Sequence, residues 1–528
     1  MPPTGTTPPS ARRAAPPPPP PAAWAAAAAV LAAAAVAGGA RLWGIGDRPL
    51  WLDEAMTLWF ARQPFADLWG YILTLEPHPP LYYSLQRLWL AFGDGAAALR
   101  ALSTVFAVAT VPLVYLLGRA AGGHGGPGRG LAAGFVAALL FALAPLQVQY
   151  GQEARGYAAL AFAQTLILCG GAWLVRHPSA LALPPWSAAA PAAAWAAVAG
   201  GAGLSLWLHN TAVLYLGVLF LFLLAWLTAA GLWRRQVAVN LALAVALVVL
   251  VWAPYWPWLW HHARDVERDF WIPAPDLASV LKILNDLFGA PYLWRLGAPM
   301  IAAMAALAAW GAWSLWRARG WPLPVLLLTA LAGPLAAHLA VSLAVRPILL
   351  TRPLIAAGVP FLVLVAAGAT ALPGRGKAAV AARVAVMVFL VAAQGRAFGN
   401  FAQSFAKEPW DRVAAALRAE VRPGEPVYVY PHYATLPLEV ALARDGGGAL
   451  DLHPLPAPFP GAGIRSLPLT PQARAELAQA RHDHPRVWLV VRTQYDLDKQ
   501  DDAVRTVRQD RRTADERQIR QLRVWRFE

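Results

Sequence analysis

Two short stretches of this chain combine residue types suited to acid–base and anion-binding chemistry. The first is Leu50-Trp51-Leu52-Asp53-Glu54-Ala55; the second is Glu76-Pro77-His78-Pro79-Pro80-Leu81-Tyr82-Tyr83. Carboxylates beside long apolar runs are costly to place near hydrocarbon, so Asp53 and Glu54 need a reason to be there. A carboxylate close to low dielectric becomes more basic, which suits general-base work. Spacing alone equally allows an N-cap or a solvated interfacial charge, the common fate of Asp at a helix start. Prolines stiffen the second stretch and present His78 on a fixed turn, where it could donate to a phosphate oxygen or bind a metal. A loop histidine with no task is the plainer alternative.

Gln152-Glu153-Ala154-Arg155-Gly156-Tyr157 forms a third group. Arg155 near a helix N-terminus runs against the macrodipole, which favours anions at that end. Arginine plus helix amides would make a phosphate-binding corner; a snorkelling Arg is the other reading. Arg346-Pro347 and Arg352-Pro353 make a similar corner, whereas His209-Asn210 supplies polar residues that any helix-hairpin turn needs. No Cys/His metal spacing, P-loop or dinucleotide fingerprint occurs, and Gly122-Gly123-His124-Gly125-Gly126 reads as a flexible linker. A site built from the oxygens of Asp53, Glu54 or Glu153 would leave no spacing signature, so no cofactor is certain and a divalent metal stays open.

The elements that must position these groups are membrane spans. Only 14% of the 528 residues are charged and mean hydropathy is +0.44, where a soluble protein would carry roughly a quarter charged residues. The apolar residues come in blocks long enough to cross a bilayer. They predict an α-helical polytopic protein with about eleven spans, near 22–42, 97–118, 130–147, 155–175, 189–209, 211–231, 237–254, 298–316, 322–344, 353–372 and 380–398. The net charge of +15 is scattered at segment ends, which fits the positive-inside bias rather than nucleic acid. With the N-terminus in the cytoplasm, the inner loops hold Arg119, Arg129, Arg176, Arg234, Arg235, Arg317, Arg319, Arg375, Lys377 and Arg383. That orientation puts the loop 41–96, the segment Pro254–Pro299 with Asp265, Glu267, Arg268 and Asp269, and the tail on the outer side.

Residues 1–21 read as a disordered Pro-rich cytoplasmic tail. The run Ala22–Ala40 exceeds a signal peptide's apolar stretch and reads as an uncleaved first span of a membrane domain 22–399. The aromatics between Glu54 and Tyr71, and again over Leu81–Phe92, predict helices lying along the interface with most rings as anchors. From 400 to 528 the composition turns charged. Strand-like Pro426–Tyr430 and Arg486–Val491 alternate with helical Trp410–Leu417 and Ala473–Ala480, which predicts a small α/β domain; Arg523–Phe527 alternates like an edge strand. The single cysteine, Cys169, excludes a disulfide within the chain.

These motifs resemble a known family, the GT-C membrane glycosyltransferases that use polyprenyl-phosphate sugars. The likeness is greatest to the bacterial branch related to protein O-mannosyltransferases and lipid A aminoarabinose transferases. It is carried by Leu50–Ala55, His78–Tyr83 with Leu99-Arg100 after it, Gln152–Tyr157 and the Arg352-Pro353 corner, where the family often has Arg-Tyr. Lys407-Glu408-Pro409-Trp410 opens a tail similar to extracytoplasmic domains of related bacterial proteins. The resemblance implies a multi-pass enzyme of a bacterial-type plasma membrane, with a polyprenyl-phosphate-linked sugar as donor and a lipid, glycan or protein as acceptor. It further implies Asp53 as general base in an inverting transfer, with Glu54 orienting the acceptor or helping to hold a metal. His78, Arg155 and Arg352 would hold the donor phosphate, and Tyr82, Tyr83, Glu153 and Tyr157 would line the pocket. A transferase acting on lipid A or a cell-wall polymer would use the same chemistry. A transporter would instead place its charges near the midplane in paired halves, and a passive anchor for the tail domain would leave Asp53 and His78 dispensable.

Overall fold

The computed structural model describes residues 21–265, 272–288, 292–293, 297–444, 450–461, 463, 467–493, 497–508 and 513–528. The expected tail, apart from Pro21, lies outside them, as do Glu267, Arg268 and Asp269. Among the described residues ten helices are long and apolar enough to cross a bilayer. They become eleven if Pro127–Leu143 and Pro145–Gly151, bent by 60°, form one crossing. These helices coincide with the expected blocks, and the last, Gly376–Ser404, runs past the expected boundary at 399.

Two features of the bundle fix the site. Pro145 has no amide proton to continue the preceding helix, so the chain breaks there. The buried guanidinium of Arg41 donates to Ala142 O at 2.9 Å, taking up one of the freed carbonyls. The break turns the chain into the segment 152–156. The second feature is the span Arg352–Thr370, whose most apolar stretch is wholly surrounded by protein. It crosses Gly297–Arg319 at Gly311 and Gly368, where a Cβ on either glycine would run into the other helix's backbone. Close approach through small residues is how apolar helices gain packing in lipid. It holds Arg352, at the end of this span, on a rigid support.

The loop after the first span folds into helices Leu52–Arg62, Phe65–Leu75 and Leu81–Trp89. Phe65 and Phe92 are exposed, as anchors would be, but Phe60 and Tyr83 are buried and Trp59 packs edge-on against Tyr71 and Phe459. Most of these rings therefore pack onto protein rather than serve as anchors, because the C-terminal domain covers the loop. Leu52, Phe60, Leu68 and Ile72 share one core with Tyr433 and Leu436 of that domain.

The C-terminal domain is a five-stranded mixed sheet: β1 Val427–Tyr430, β2 Leu452–Pro454, β3 Val487–Arg492, β4 Thr513–Ile519 and β5 Leu522–Phe527, in the order β2-β1-β3-β5-β4. Both faces are covered. Val427, Val429, Val490 and Val524 pack with helices Trp410–Glu420 and Thr435–Arg444. Tyr428, Leu489, Val491 and Trp525 face Pro471–Asp483 and Leu497–Arg508. β5 is not the edge strand its alternation suggested: it pairs antiparallel with β3 on one side and β4 on the other. The charged, exposed β4 takes the edge, where such side chains discourage further pairing.

Candidate functional site

Asp53 and Glu54 lie in the first turn of Leu52–Arg62, where carboxylates complement the helix's amide end. The N-cap residue is Trp51, with no side-chain cap bond, so Asp53 is not consumed by capping. Its Oδ2 accepts from Arg352 Nη1 at 2.9 Å, and the Arg352 guanidinium lies over the Trp51 ring at 5.2 Å.

Neighbours on a helix point about 100° apart, and Glu54 turns inward. Fully buried, it accepts from Arg100 Nε at 2.8 Å and Nη2 at 2.7 Å, and from the Ala154 amide at 3.0 Å. Lys407 Nζ lies 2.7 Å from its Oε1. Burial by itself would raise this carboxyl, but Lys407 and Arg100 outweigh it and hold it at about 2. Arg100 also donates to the carbonyls of Ile45, Arg48 and Pro49, so one ion pair fixes the entrance to the loop, the helix Leu52–Arg62 and the segment after the bend. Lys407 reaches a second carboxylate, Glu153, at 3.8 Å. Burial raises the Glu153 carboxyl, and its Oε1 has no hydrogen-bond partner among the described residues.

A second buried carboxylate, Glu76, organises the phosphate-binding candidates. Its Oε1 lies 2.5 Å from His78 Nδ1 and 3.0 Å from Arg155 Nη2. Burial opposes its charge, but Arg155 and His78 win and hold it at about 2. Arg155 Nη1 donates to Tyr83 Oη at 2.7 Å. Tyr82 Oη bonds Ser103 Oγ, which also donates to the Arg155 carbonyl. Asn210 Nδ2 donates to Pro77 O at 2.6 Å and pins the proline turn. The His78 ring packs against His209, centroids 4.8 Å apart, and Tyr157, 6.3 Å. Burial, with His78 beside it, pushes His209 well below its ordinary range. Its Nδ1 accepts from the Thr211 amide, so the neutral ring carries its proton on Nε2.

Accessibility sorts these groups. Asp53, His78 and Arg352 keep 21%, 23% and 29% of their side-chain surface. Glu54, Glu76, Arg100, Glu153, Arg155 and Lys407 keep at most 6%. Tyr82, Tyr83 and Tyr157 are buried too, so these pocket candidates stand behind the accessible surface. Arg352, expected on the donor phosphate, here pairs with Asp53. Sequence reasoning quoted Glu76, Arg100 and Lys407 within motifs but gave them no task; the two-residue Glu76–His78 spacing across a proline was the available signal. Among the described residues no group of three or more His, Cys, Asp or Glu is arranged to hold a metal. Asp53, Glu54 and Glu153 each face a cation of the protein.

No protein-family model matches the chain, and no curated protein matches it in sequence. Solved structures do match its fold. ArnT from Cupriavidus metallidurans in the apo state has TM-score 0.59 at 15% identity, over 95% of this chain and 98% of that one. The same protein bound to undecaprenyl phosphate has TM-score 0.59 at 13% identity, over 96% and 98%. The Archaeoglobus fulgidus oligosaccharyltransferase AglB, in complex with an inhibitory peptide and a dolichol-phosphate, has TM-score 0.53 at 13% identity, over 88% of this chain and 69% of that one. The likeness is one of fold, and that fold is the GT-C architecture.

Proposed function

We propose that this chain, on that fold, is an inverting glycosyltransferase that moves a sugar from a polyprenyl-phosphate donor to an acceptor hydroxyl, with Asp53 as general base. The observation that supports it most is the exposure pattern: in a cluster of otherwise buried carboxylates Asp53 remains accessible, paired with the Arg352 guanidinium, and the His78 imidazole is accessible too. Neighbours of the same fold bind undecaprenyl phosphate and dolichol-phosphate.

In this reading an Asp53 oxygen takes the proton of the acceptor hydroxyl as its oxygen bonds to the anomeric carbon. The bond from that carbon to the phosphate oxygen breaks on the opposite face, through an oxocarbenium-like transition state, and polyprenyl phosphate leaves. His78 is held by Glu76 through Nδ1, which leaves Nε2 for the phosphate. The Arg352 nitrogens not engaged with Asp53 meet the same group, and Arg155 adds positive charge from behind. Cations preset where negative charge develops supply much of the rate enhancement in many such reactions. Glu54 holds the helix rather than the acceptor. No step runs through a metal. The basic loops support an orientation with the N-terminus in the cytoplasm and the site and the C-terminal domain on the outer face of a bacterial plasma membrane.

The test is transfer by full-length protein in nanodiscs, from labelled undecaprenyl-phosphate sugars to lipid A, cell-wall polymer and protein acceptors. Wild-type transfer with inverted anomeric configuration, lost in Asp53→Asn, is expected. Retained configuration, or full activity in Asp53→Asn, contradicts the mechanism; the labelled product separates the acceptor classes.

A further inference from the structure

Lys407 sits on the strap 405–409, between the last span, Gly376–Ser404, and the first helix of the C-terminal domain, Trp410–Glu420. It is nearly fully buried, 2.7 Å from Glu54 and 3.8 Å from Glu153, and its ammonium lies 5.9 Å from the centre of the Trp51 ring. The Arg352 guanidinium, which pairs with Asp53, lies over the same ring at 5.2 Å. The next residue, Glu408, serves the domain. Its Oε1 accepts from Arg492 Nε and Nη2 of β3, at 2.8 and 2.6 Å, and its Oε2 from the Trp410 indole at 2.8 Å. Oε2 also accepts from the Leu52 amide at 3.4 Å, at the start of the helix that carries Asp53. Two adjacent residues of opposite charge thus connect the domain sheet to the catalytic helix and the catalytic helix to the segment 152–156.

We propose that Lys407 is a positioning residue of the transfer site: its ammonium, between Glu54 and Glu153, makes the geometry of Asp53 and Arg352 depend on a docked C-terminal domain. The inference rests on the glycosyl-transfer reading. If this buried cation withdraws, Glu153 loses its ion-pair partner and Glu54 keeps Arg100 as its remaining one among the described residues, which is costly for buried carboxylates. The domain is therefore held to the catalytic loop by charge as well as by the shared core of Leu52 and Leu436. Loss of this ammonium lets the helix start at Leu52 shift, and small misplacements of catalytic groups cost about 10²-fold in rate.

The experiment uses full-length protein in nanodiscs: wild type, Lys407→Met, which keeps the apolar stem, Lys407→Arg, which keeps the charge, and Lys407→Ala. Two quantities are followed, protease cleavage within 405–409 and turnover per folded molecule with the polyprenyl-phosphate sugar that the wild type uses. In Lys407→Met cleavage should accelerate and kcat fall by about 10²-fold while donor KM stays near wild type. Lys407→Arg should recover most of both, and ethylammonium should restore Lys407→Ala saturably. A purely structural lysine would lower the yield of folded protein but leave kcat per folded molecule unchanged, and that result overturns the proposal. So does wild-type cleavage in Lys407→Met. If the wild type transfers no sugar from any donor, the glycosyl-transfer reading fails by itself; cleavage and its reversal by ethylammonium then still decide whether Lys407 docks the domain.

Discussion

Asp53 and Glu54 are adjacent in sequence and opposite in circumstance. Glu54 accepts from Arg100 and the Ala154 amide and pairs with Lys407, with no surface left for substrate. Asp53 pairs with Arg352 and remains accessible. The same division separates Glu76 from His78. In each pair a buried carboxylate holds the scaffold, and under the proposed function its accessible neighbour meets the substrate. Buried, fully bonded charges contribute geometry; a group that must exchange protons or ligands has to keep part of its coordination free.

Breaking the pairs one member at a time should separate the two kinds of loss. Asp53→Asn should reduce turnover most, by about 10²–10⁴-fold for a lost general base, with unfolding unchanged. Glu54→Gln should act first on stability, costing about 3–5 kcal/mol because Arg100 and Lys407 lose their buried counter-charge; thermal unfolding in detergent would measure it. His78→Ala should lower kcat by about 10²-fold, the usual loss for one preset donor to a developing oxyanion, with little change in melting. A broader effect separates the buried carboxylates from the accessible groups. Glu54 and Glu76 are held at about 2 when folded, below roughly 4.3 for an unfolded Glu. Their contribution to stability is therefore full above about pH 4.5 and is lost as pH falls toward about 2. Melting temperature should drop across that window, and less steeply in Glu54→Gln.

The bundle was legible because a bilayer-crossing helix announces itself by length alone; only the break at Pro145 and the extension to Ser404 needed coordinates. The strands Val427–Tyr430 and Val487–Arg492 were legible as short β-rich runs, but the place of Leu522–Phe527 in the sheet was not. Alternation reports which faces of a strand are covered, not whether it has neighbours on both sides. At the site the sequence gathered Asp53, Glu54, His78, Arg155 and Arg352 without saying which were free. That depends on partners far along the chain: Arg100 is 46 residues from Glu54 and Arg352 is 299 from Asp53. Lys407 was visible only as the opening of a charged tail, because nothing local tells a lysine to turn back into the membrane domain.

The most direct measurement is turnover per folded molecule for Asp53→Asn and Glu54→Gln, prepared side by side with the wild type and assayed with the same undecaprenyl-phosphate sugar. The account predicts that Asp53→Asn is folded and nearly inactive, whereas the surviving folded fraction of Glu54→Gln turns over far faster than Asp53→Asn. If folded Glu54→Gln is as inactive as Asp53→Asn, or Asp53→Asn retains wild-type turnover, the division between a buried scaffold and an accessible base is wrong.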